Sequence, residues 1–490
     1  MLSVDSIVRR NALAYGERAA AVMDGRVLTY AELDRAANRM AHMLRDRSIG
    51  HQDRVVAWSD NNLELVVLFL ALAKLGAVFA PVNPRFKPGE AAAIIHLADP
   101  KLIVADADRW DGAKALAAEL AIQCLPIDCP DDPRDIAVLS ASAPGMDIDE
   151  PARTEDDCQV LLFTSGSTGQ SKGVVLSNRT NFLRTFQGLY IDEPLRKVCM
   201  FPLFHVGSFL LAMVAWQTGG EVTFVRSPTP KALLDAVQAR KANHLYCIPA
   251  VWGRILAEKM DDWDLSSLRY IDTGTSATPP ALIDALKAKF PNGLVRVFYG
   301  STETGMVAAL WDREVQAKPS SVGRPTFGLE LRLGPGDEIQ VRSAYLADGY
   351  FRNEKATETA FAGGWYHTGD RGQLDEDGYL YITGRLKDII RSAGETVSPT
   401  DVEIALADCP GIADLAVVGI PDATWGEIVC AVVVAKPGAE PTLEGVRAHC
   451  EGRLTSYKLP RRLELIDKIP RTAATNQIQR PLIVEWIQSK

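Results

Sequence analysis

Hydrophobic positions along the chain alternate between two textures. Apolar runs such as 54–58 (RVVAW), 77–82 (AVFAPV) and 101–106 (KLIVAD) are too short for helices and carry the β-branched residues of buried strands. Between them lie segments of helical period. After Thr29-Tyr30-Ala31-Glu32, where Thr29 and Glu32 can satisfy each other's backbone donors, Leu33, Ala36, Ala37, Met40 and Leu44 share one face. Strands alternating with helices predict parallel sheets covered by helices, so the first three-quarters of the chain reads as α/β.

From Gly323 to Thr383 the pattern changes to short strand-like pieces broken by Gly, Asp and Asn, as in GDEIQVRS, GGWYHTGD and DEDGYLYITG, which predicts a β-rich subdomain. Beyond it, Ser398 as an N-cap with Pro399 in the first turn predicts a helix to Asp408. A Pro410-Gly411 turn, the strands LAVVGI and EIVCAVVVA, and a helical pattern from Leu443 to Leu454 follow. Residues from about 386 onward read as a separate α+β domain.

Composition narrows the class. With 490 residues the chain exceeds one ordinary core, and 47% hydrophobic against 23% charged residues is the balance of a globular protein. A net charge of −9, unrelieved by any basic run, argues against nucleic-acid or anionic-membrane partners and leaves small molecules. The eight cysteines form no C-x-x-C pair and predict reduced, mostly buried thiols. The first twenty residues lack a basic-then-apolar leader, and the apolar run from Leu65 to Ala73 is about half a membrane span. A soluble cytoplasmic protein is expected.

The stretch TSGSTGQSKG, Thr164 to Gly173, sets hydroxyl side chains, three glycines and Lys172 between the strand-like runs QVLLF and GVVLS. Small residues let backbone N–H groups and hydroxyls close around phosphate oxygens, with Lys172 supplying positive charge. The Walker A spacing is not met, because Ser171 rather than Gly precedes Lys172. A plain hairpin tip has the same composition.

Four further stretches decide between these readings: DTGTSATPP at 272–280, FYGSTETG at 298–305, WYHTGDRG at 365–372 and GRLKDIIRSAGETVSP at 384–399. In this order and at these distances, from about Tyr30 to Arg480, they resemble the adenylate-forming superfamily of acyl- and aryl-CoA synthetases, luciferases and peptide-synthetase adenylation domains. The resemblance implies a carboxylate joined to the α-phosphate of Mg-ATP with loss of pyrophosphate, then acyl transfer from AMP to a thiol. It implies a large N-terminal domain over 1–384, a hinge at 385–388 and a small mobile C-terminal domain over 389–490.

By the same resemblance, Thr164, Ser165, Gly166, Ser167, Thr168, Gly169 and Lys172 cover the β- and γ-phosphates. Tyr299 lies against adenine, opposite Gly274, Thr275 and Ser276, with Gly300 and Ser301 beside it. Thr302 bonds the α-phosphate and Glu303 supplies an oxygen ligand to Mg²⁺. Asp370 accepts both ribose hydroxyls, Arg385 reaches ribose or phosphate, and Lys387 is the hinge. Gly394 and Glu395 approach the adenylate after rotation of the small domain, when the thiol tunnel for coenzyme A forms.

On the acid side, Phe201 to Trp216 (FPLFHVGSFLLAMVAW) resembles the acyl- and aryl-CoA synthetase version of its motif, and contains no aspartate to anchor a substrate ammonium. His205 is expected near the carboxylate, the bland alternative being a histidine satisfied in a core turn. Val251, Trp252, Gly300, Thr304 and Met306 are candidate pocket walls by position, the bland alternative for each being ordinary core. Bulky Phe204, Trp252 and Met306 favour a small or medium acid.

The pattern breaks near the end. Family members carry a Pro-Arg-Thr…Gly-Lys loop whose lysine contacts the carboxylate and the α-phosphate, and here IPRTAATNQIQR puts Asn476 at the glycine and Gln477 at the lysine. Asn tolerates a left-handed turn, so the loop's shape is expected to survive while its charge does not. Adenylation should be slowed, the thioester step less so. Substitution by another cation such as Lys468, a mutated loop, or a natural activity that depends little on the lysine are the competing explanations. The leading expectation is an AMP-forming acyl-CoA synthetase using ATP, Mg²⁺ and coenzyme A. Delivery to a carrier protein or other nucleophile, and a weakened nucleotide-binding homologue, are the alternatives. Oligomeric state is not legible.

Overall fold

Thr29 caps the helix Tyr30–Asp46 as its sequence predicts, accepting from the Glu32 N–H while the Glu32 carboxylate accepts from the Thr29 N–H. This holds in a computed structural model that describes residues 1–148, 152–165, 171–188, 193–392, 395–422, 424–472 and 476–490. The chain divides into two compact units. One comprises Met1–Ser320, Pro325–Glu330 and Arg342–Tyr366; the other comprises Ser321–Arg324, Leu331–Val341 and His367–Lys490.

In the first unit the three apolar runs are neighbouring parallel strands, Arg54–Trp58 between Val78–Val82 and Leu102–Ala105. The sheet continues from Val78–Val82 to Cys158–Ser165, then antiparallel to Ser171–Ser177 and Gly349–Tyr350. The apolar run at Leu65 lies in the helix Leu63–Leu75, buried along its whole length, as expected of a helix apolar on every side. Among the described residues no helix is long and apolar enough to cross a membrane.

A second sheet of this unit runs in the order Gly305–Leu310, Leu294–Ser301, Tyr270–Gly274, His244–Tyr246, Arg196–Cys199, Glu221–Phe224, Ala19–Met23 and Arg26–Thr29. The strands from Leu294–Ser301 through Ala19–Met23 are parallel. Open parallel sheets bind ligands at the carboxyl ends of their strands, and Gly274 and Ser301 are such ends.

The β-rich stretch, most of it in the second unit, forms a sheet of Leu329–Leu333, Glu338–Ser343, Tyr366–Leu374 and Leu380–Arg385. A further sheet of Glu395–Val397, Ile390–Ser392, Gly426–Ala435 and Ile412–Asp422, with Arg462–Leu465 beside Gly426–Ala435, packs Val417, Val429 and Val433 against Val402 and Leu406 of the helix Pro399–Leu406. The helix expected to reach Leu454 ends at Cys450, because Glu451 turns extended and Gly452 takes a φ of 78°. All eight cysteines are thiols, five of them buried.

Candidate active site

The loop of Thr164 to Gly173 begins and ends on paired strands, with Thr164 opposite Lys172 and Ser165 opposite Ser171. Gly166, Ser167, Thr168 and Gly169 lie outside the described residues. Lys172 Nζ stands 4.8 Å above the ring centre of Tyr350, whose strand pairs with Ser171–Ser177. The Tyr350 hydroxyl donates to Glu303 Oε1 at 3.2 Å. Burial, then the Glu303 charge, raises the Tyr350 pKa, so the phenol keeps its proton and remains a donor. One tyrosine thus touches both the expected phosphate lysine and the expected metal carboxylate.

Tyr350 was not singled out in the sequence. Its only signal is a Tyr after Asp348-Gly349, and an aromatic residue in a short strand needs no functional reason.

Glu303 sits in the turn joining Leu294–Ser301 to Gly305–Leu310. Ser301 N–H donates to Thr304 Oγ1 at 2.9 Å, and Thr304 N–H donates to Ser301 Oγ at 3.2 Å, which closes the turn and leaves Thr302 and Glu303 half-buried at its tip. Gly300 is required, since a Cβ there would meet Gly305 O at 1.9 Å. Tyr299, one residue earlier, is half-buried.

On the neighbouring strand Gly274 pairs with Phe298. A Gly274 Cβ would fall 2.1 Å from Phe298 O, and its φ is 149°. Thr275 adopts a φ of 64°, a strained state for a β-branched residue, and its hydroxyl donates to Gly274 O. Ser276 is exposed. The pairing of Gly274 with Phe298 sets the end of one strand, continuing into Thr275 and Ser276, beside the strand that carries Tyr299, Gly300 and Ser301 into the Thr302–Glu303 turn.

His205 caps the helix Val206–Gln217, its Nδ1 accepting from the Gly207 N–H at 3.0 Å. That bond assigns the ring proton to Nε2. The imidazole stacks on Phe201 at 5.0 Å with the planes 15° apart, and burial lowers its pKa to about 4, so it is neutral at ordinary pH. Phe201 lies 5.4 Å from Tyr246, which stacks on Phe298 at 6.3 Å. Tyr246 is another residue that sequence reasoning passed over.

Val251 and Trp252 take the core alternative. Trp252 is fully buried and its Nε1 donates to Asp272 O at 2.9 Å, while Val251 beside it is also buried. Both lie on the helix Pro249–Leu256, whose apolar face turns toward the sheet. Thr304 is buried and committed to its turn; Met306 and Phe204 are half-buried.

In the second unit Asp370 and Arg385 are cross-strand partners, joined from Arg385 Nε to Asp370 Oδ1 at 3.0 Å. The strand segment leading to Asp370 is anchored to its neighbour Glu338–Ser343. His367 Nδ1 contacts Glu338 Oε2 at 2.7 Å, Gly369 N–H donates to Glu338 Oε1 at 3.2 Å, and Thr368 Oγ1 donates to Ile339 O at 2.7 Å. Lys387 lies in the 3-10 turn Leu386–Asp388; burial lowers its pKa, with Arg385 and Arg480 adding to the effect and Asp388 and Asp370 opposing it. Glu395 is exposed and paired with Ser392 across a strand pair; Gly394 is outside the described residues.

Of the loop at Gln477 the described residues are those up to Thr472 and from Asn476 onward, and Asn476 takes the expected left-handed turn. Asn476 takes a φ of 56°, Thr472 N–H donates to Gln477 O at 2.8 Å, and Gln477 N–H donates to Thr472 Oγ1 at 3.0 Å. Arg471 is held by Asp414 at 2.7 Å and by Asn476 O at 3.0 Å.

The family model described as AMP-binding enzyme matches residues 8–351, and that of the AMP-binding enzyme C-terminal domain matches residues 401–475, ending before Gln477. Long-chain-fatty-acid–CoA ligase FadD13 of Mycobacterium tuberculosis is 32% identical over 481 residues, covering 94% of this chain and 93% of the relative. Feruloyl-CoA synthase of Streptomyces sp is 32% identical over 472 residues, covering 92% of each. The solved structure of ATP-bound MatB from Rhodopseudomonas palustris superposes with a TM-score of 0.89 at 28% identity, covering 99% of both chains. The chain belongs to the AMP-binding enzyme family, on the acyl-CoA synthetase side of the adenylate-forming superfamily. It is an enzyme of the AMP-forming acid–thiol ligase class.

Proposed function

We propose that the protein condenses a carboxylic acid without an α-amino group with coenzyme A, through an acyl-adenylate. The observation that carries this reading is the Lys172–Tyr350–Glu303 contact, which joins the phosphate hairpin to the turn bearing Thr302. Lys172 meets the β- and γ-phosphates, Thr302 donates to the α-phosphate, and Tyr299 with the Gly274 to Ser276 segment holds adenine. Asp370 accepts the ribose hydroxyls and Arg385 stays within reach of them.

A substrate carboxylate oxygen attacks the α-phosphorus as the bond to the pyrophosphate oxygen breaks. The coenzyme A sulfur then attacks the acyl carbon, and AMP leaves. Lys387 serves as the hinge for exchanging Gln477 for Gly394 and Glu395 between the two steps. A neutral His205 with its proton on Nε2 can donate to the carboxylate without adding charge.

Glu303 suits Mg²⁺, which takes one or two protein carboxylates and completes its shell with phosphate oxygens and water. Among the described residues no three His, Cys, Asp or Glu side chains cluster as an all-protein cage would. Bound there, Mg²⁺ would offset phosphate charge.

The relatives' names span a long-chain fatty acid and an aromatic acid, so the acid is best found by assay. Thioester formation from ATP, Mg²⁺ and coenzyme A across straight, branched and aromatic acids tests the reading, with AMP produced in step with thioester. Loading of a carrier-protein pantetheine in preference to coenzyme A would transfer the second step to that acceptor. Gln477 supports a second reading, in which adenylation is weak and the protein chiefly binds nucleotide, because a neutral amide leaves the meeting of two anions uncompensated.

A further inference from the structure

Arg184 ends the helix Asn178–Arg184 and is fully buried. Its guanidinium is met by backbone carbonyls: Nε donates to Tyr345 O, Nη1 to Thr302 O and Nη2 to Glu303 O, each at 3.0 Å. Burying a cation costs several kcal/mol, only partly repaid by uncharged acceptors. An apolar side chain of the same length would fill this place without that cost. The planar fork instead fixes three carbonyl directions at once, which an apolar chain cannot do and a lysine ammonium does poorly.

Two of these three carbonyls belong to Thr302 and Glu303, the residues expected to face the α-phosphate and Mg²⁺. The helix carrying Arg184 follows directly on the hairpin strand that carries Lys172, and Ser177 caps its start, accepting from Thr180 N–H. Ser177 N–H also donates to Asp348 Oδ2 at 2.9 Å, Thr180 Oγ1 donates to Leu346 O at 3.0 Å, and Ala347 N–H donates to Glu303 O at 2.7 Å. Gly305 passes so close that a Cβ there would sit 3.0 Å from Arg184 Nε. Burial lowers the guanidinium pKa to about 10, opposed by the charges of Glu303 and Asp348, so it stays a cation across the working range.

We propose that Arg184 is a positioning residue for adenylation: by holding the Thr302 and Glu303 carbonyls at a fixed distance from the Lys172 hairpin, it aims the Thr302 hydroxyl and Glu303 carboxylate at Mg-ATP. This rests on the reading of Glu303 as the metal carboxylate, so Glu303→Gln serves as the reference.

The test is the ATP affinity of the full chain by calorimetry, with and without Mg²⁺, for the wild type, Glu303→Gln, Arg184→Met and Arg184→Lys, together with their melting temperatures. The quantity read is the factor by which Mg²⁺ tightens ATP. Glu303→Gln and Arg184→Met should each shrink it by about tenfold, the worth of one charge-assisted contact. Arg184→Lys, which keeps the charge but not the fork, should lose about threefold even if the methionine variant fails to fold. ATP affinity without Mg²⁺ should stay within about twofold, which general loosening of the fold would not spare. An unchanged factor in the folded arginine variants beside a diminished one in Glu303→Gln overturns the role of Arg184 alone. An unchanged factor in all overturns it together with the metal assignment of Glu303.

Discussion

Tyr350 stands between Lys172 and Glu303, its ring 4.8 Å from the ammonium and its hydroxyl 3.2 Å from the carboxylate. One tyrosine thus touches both charged side chains, through its ring and through its hydroxyl. A hydrogen bond to a charged group is worth about 1.5–3 kcal/mol, or roughly a 10- to 100-fold change in an equilibrium or rate. Tyr350→Phe keeps the ring under Lys172 and removes only the donor. Pyrophosphate release under limiting Mg-ATP should fall by about tenfold with little change in melting temperature. A loss confined to melting temperature would make Tyr350 a packing residue.

The role proposed for Asp370 and Arg385 separates binding from stability. Their ion pair joins a half-buried carboxylate to an exposed guanidinium, a class worth about 0–1 kcal/mol to folding. Asp370→Asn should therefore scarcely move the melting temperature, while ATP affinity drops by about tenfold because an amide cannot accept from two hydroxyls as a carboxylate does. Parallel losses in a melt and an ATP titration would make Asp370 a structural strand residue.

Below Gly274 lies a buried charge cluster. Asp272 is gripped by Arg296 at 2.7 and 2.8 Å and meets His244 Nε2 at 2.6 Å, and buried Lys197 lies within their field. Burial lowers the Lys197 pKa from 10.5 to about 7, with Asp272 opposing and Arg296 adding to the shift. In the unfolded chain the same lysine holds its proton up to its ordinary value. Between pH 7 and 10 the unfolded state thus binds more protons, and this residue's contribution to stability rises with pH. Urea melts from pH 7 to 9 should show the wild type gaining stability relative to Lys197→Met. Parallel curves would mean that Lys197 keeps its proton in the fold.

How much of this was legible in the sequence depends on the range of each interaction. The Thr29 capping box, the strands flanking Thr164 to Gly173 and the left-handed turn at Asn476 are local devices, and each formed as its residues require. Tyr350 and Arg184 act on Glu303 from 47 and 119 positions away. Periodicity tells which face a side chain takes, not which distant turn it will meet. An arginine in a last helical turn reads as a solvated partner of the helix dipole, yet Arg184 is turned inward onto three carbonyls. For Trp252 position alone left two readings, pocket wall and core, and the amphipathic helix Pro249–Leu256 buries it.

His205 carries a pH consequence of its own. Held neutral down to about pH 4, it should not produce the acid limb of the rate profile between pH 5 and 7. Since its folded pKa lies below the unfolded 6.5, the unfolded state binds more protons between 4 and 6.5, and the fold loses stability as pH falls through that window. His205→Gln should lower the rate while leaving the limb's midpoint in place. A shifted midpoint in kcat/KM against pH would show His205 titrating in the free enzyme.

The central claim, that this site makes an acyl-adenylate, is tested most directly by pyrophosphate release from Mg-ATP across a panel of short, medium, branched and aromatic acids, on the wild type and Gln477→Lys side by side. Thr472 and Gln477 already pair across the loop and Asn476 takes its left-handed turn, so the variant adds the missing charge at a position whose backbone is held. Acid-dependent release that rises by about tenfold or more in Gln477→Lys is the expected result. Silence from both proteins with every acid, despite tight ATP binding, would contradict it.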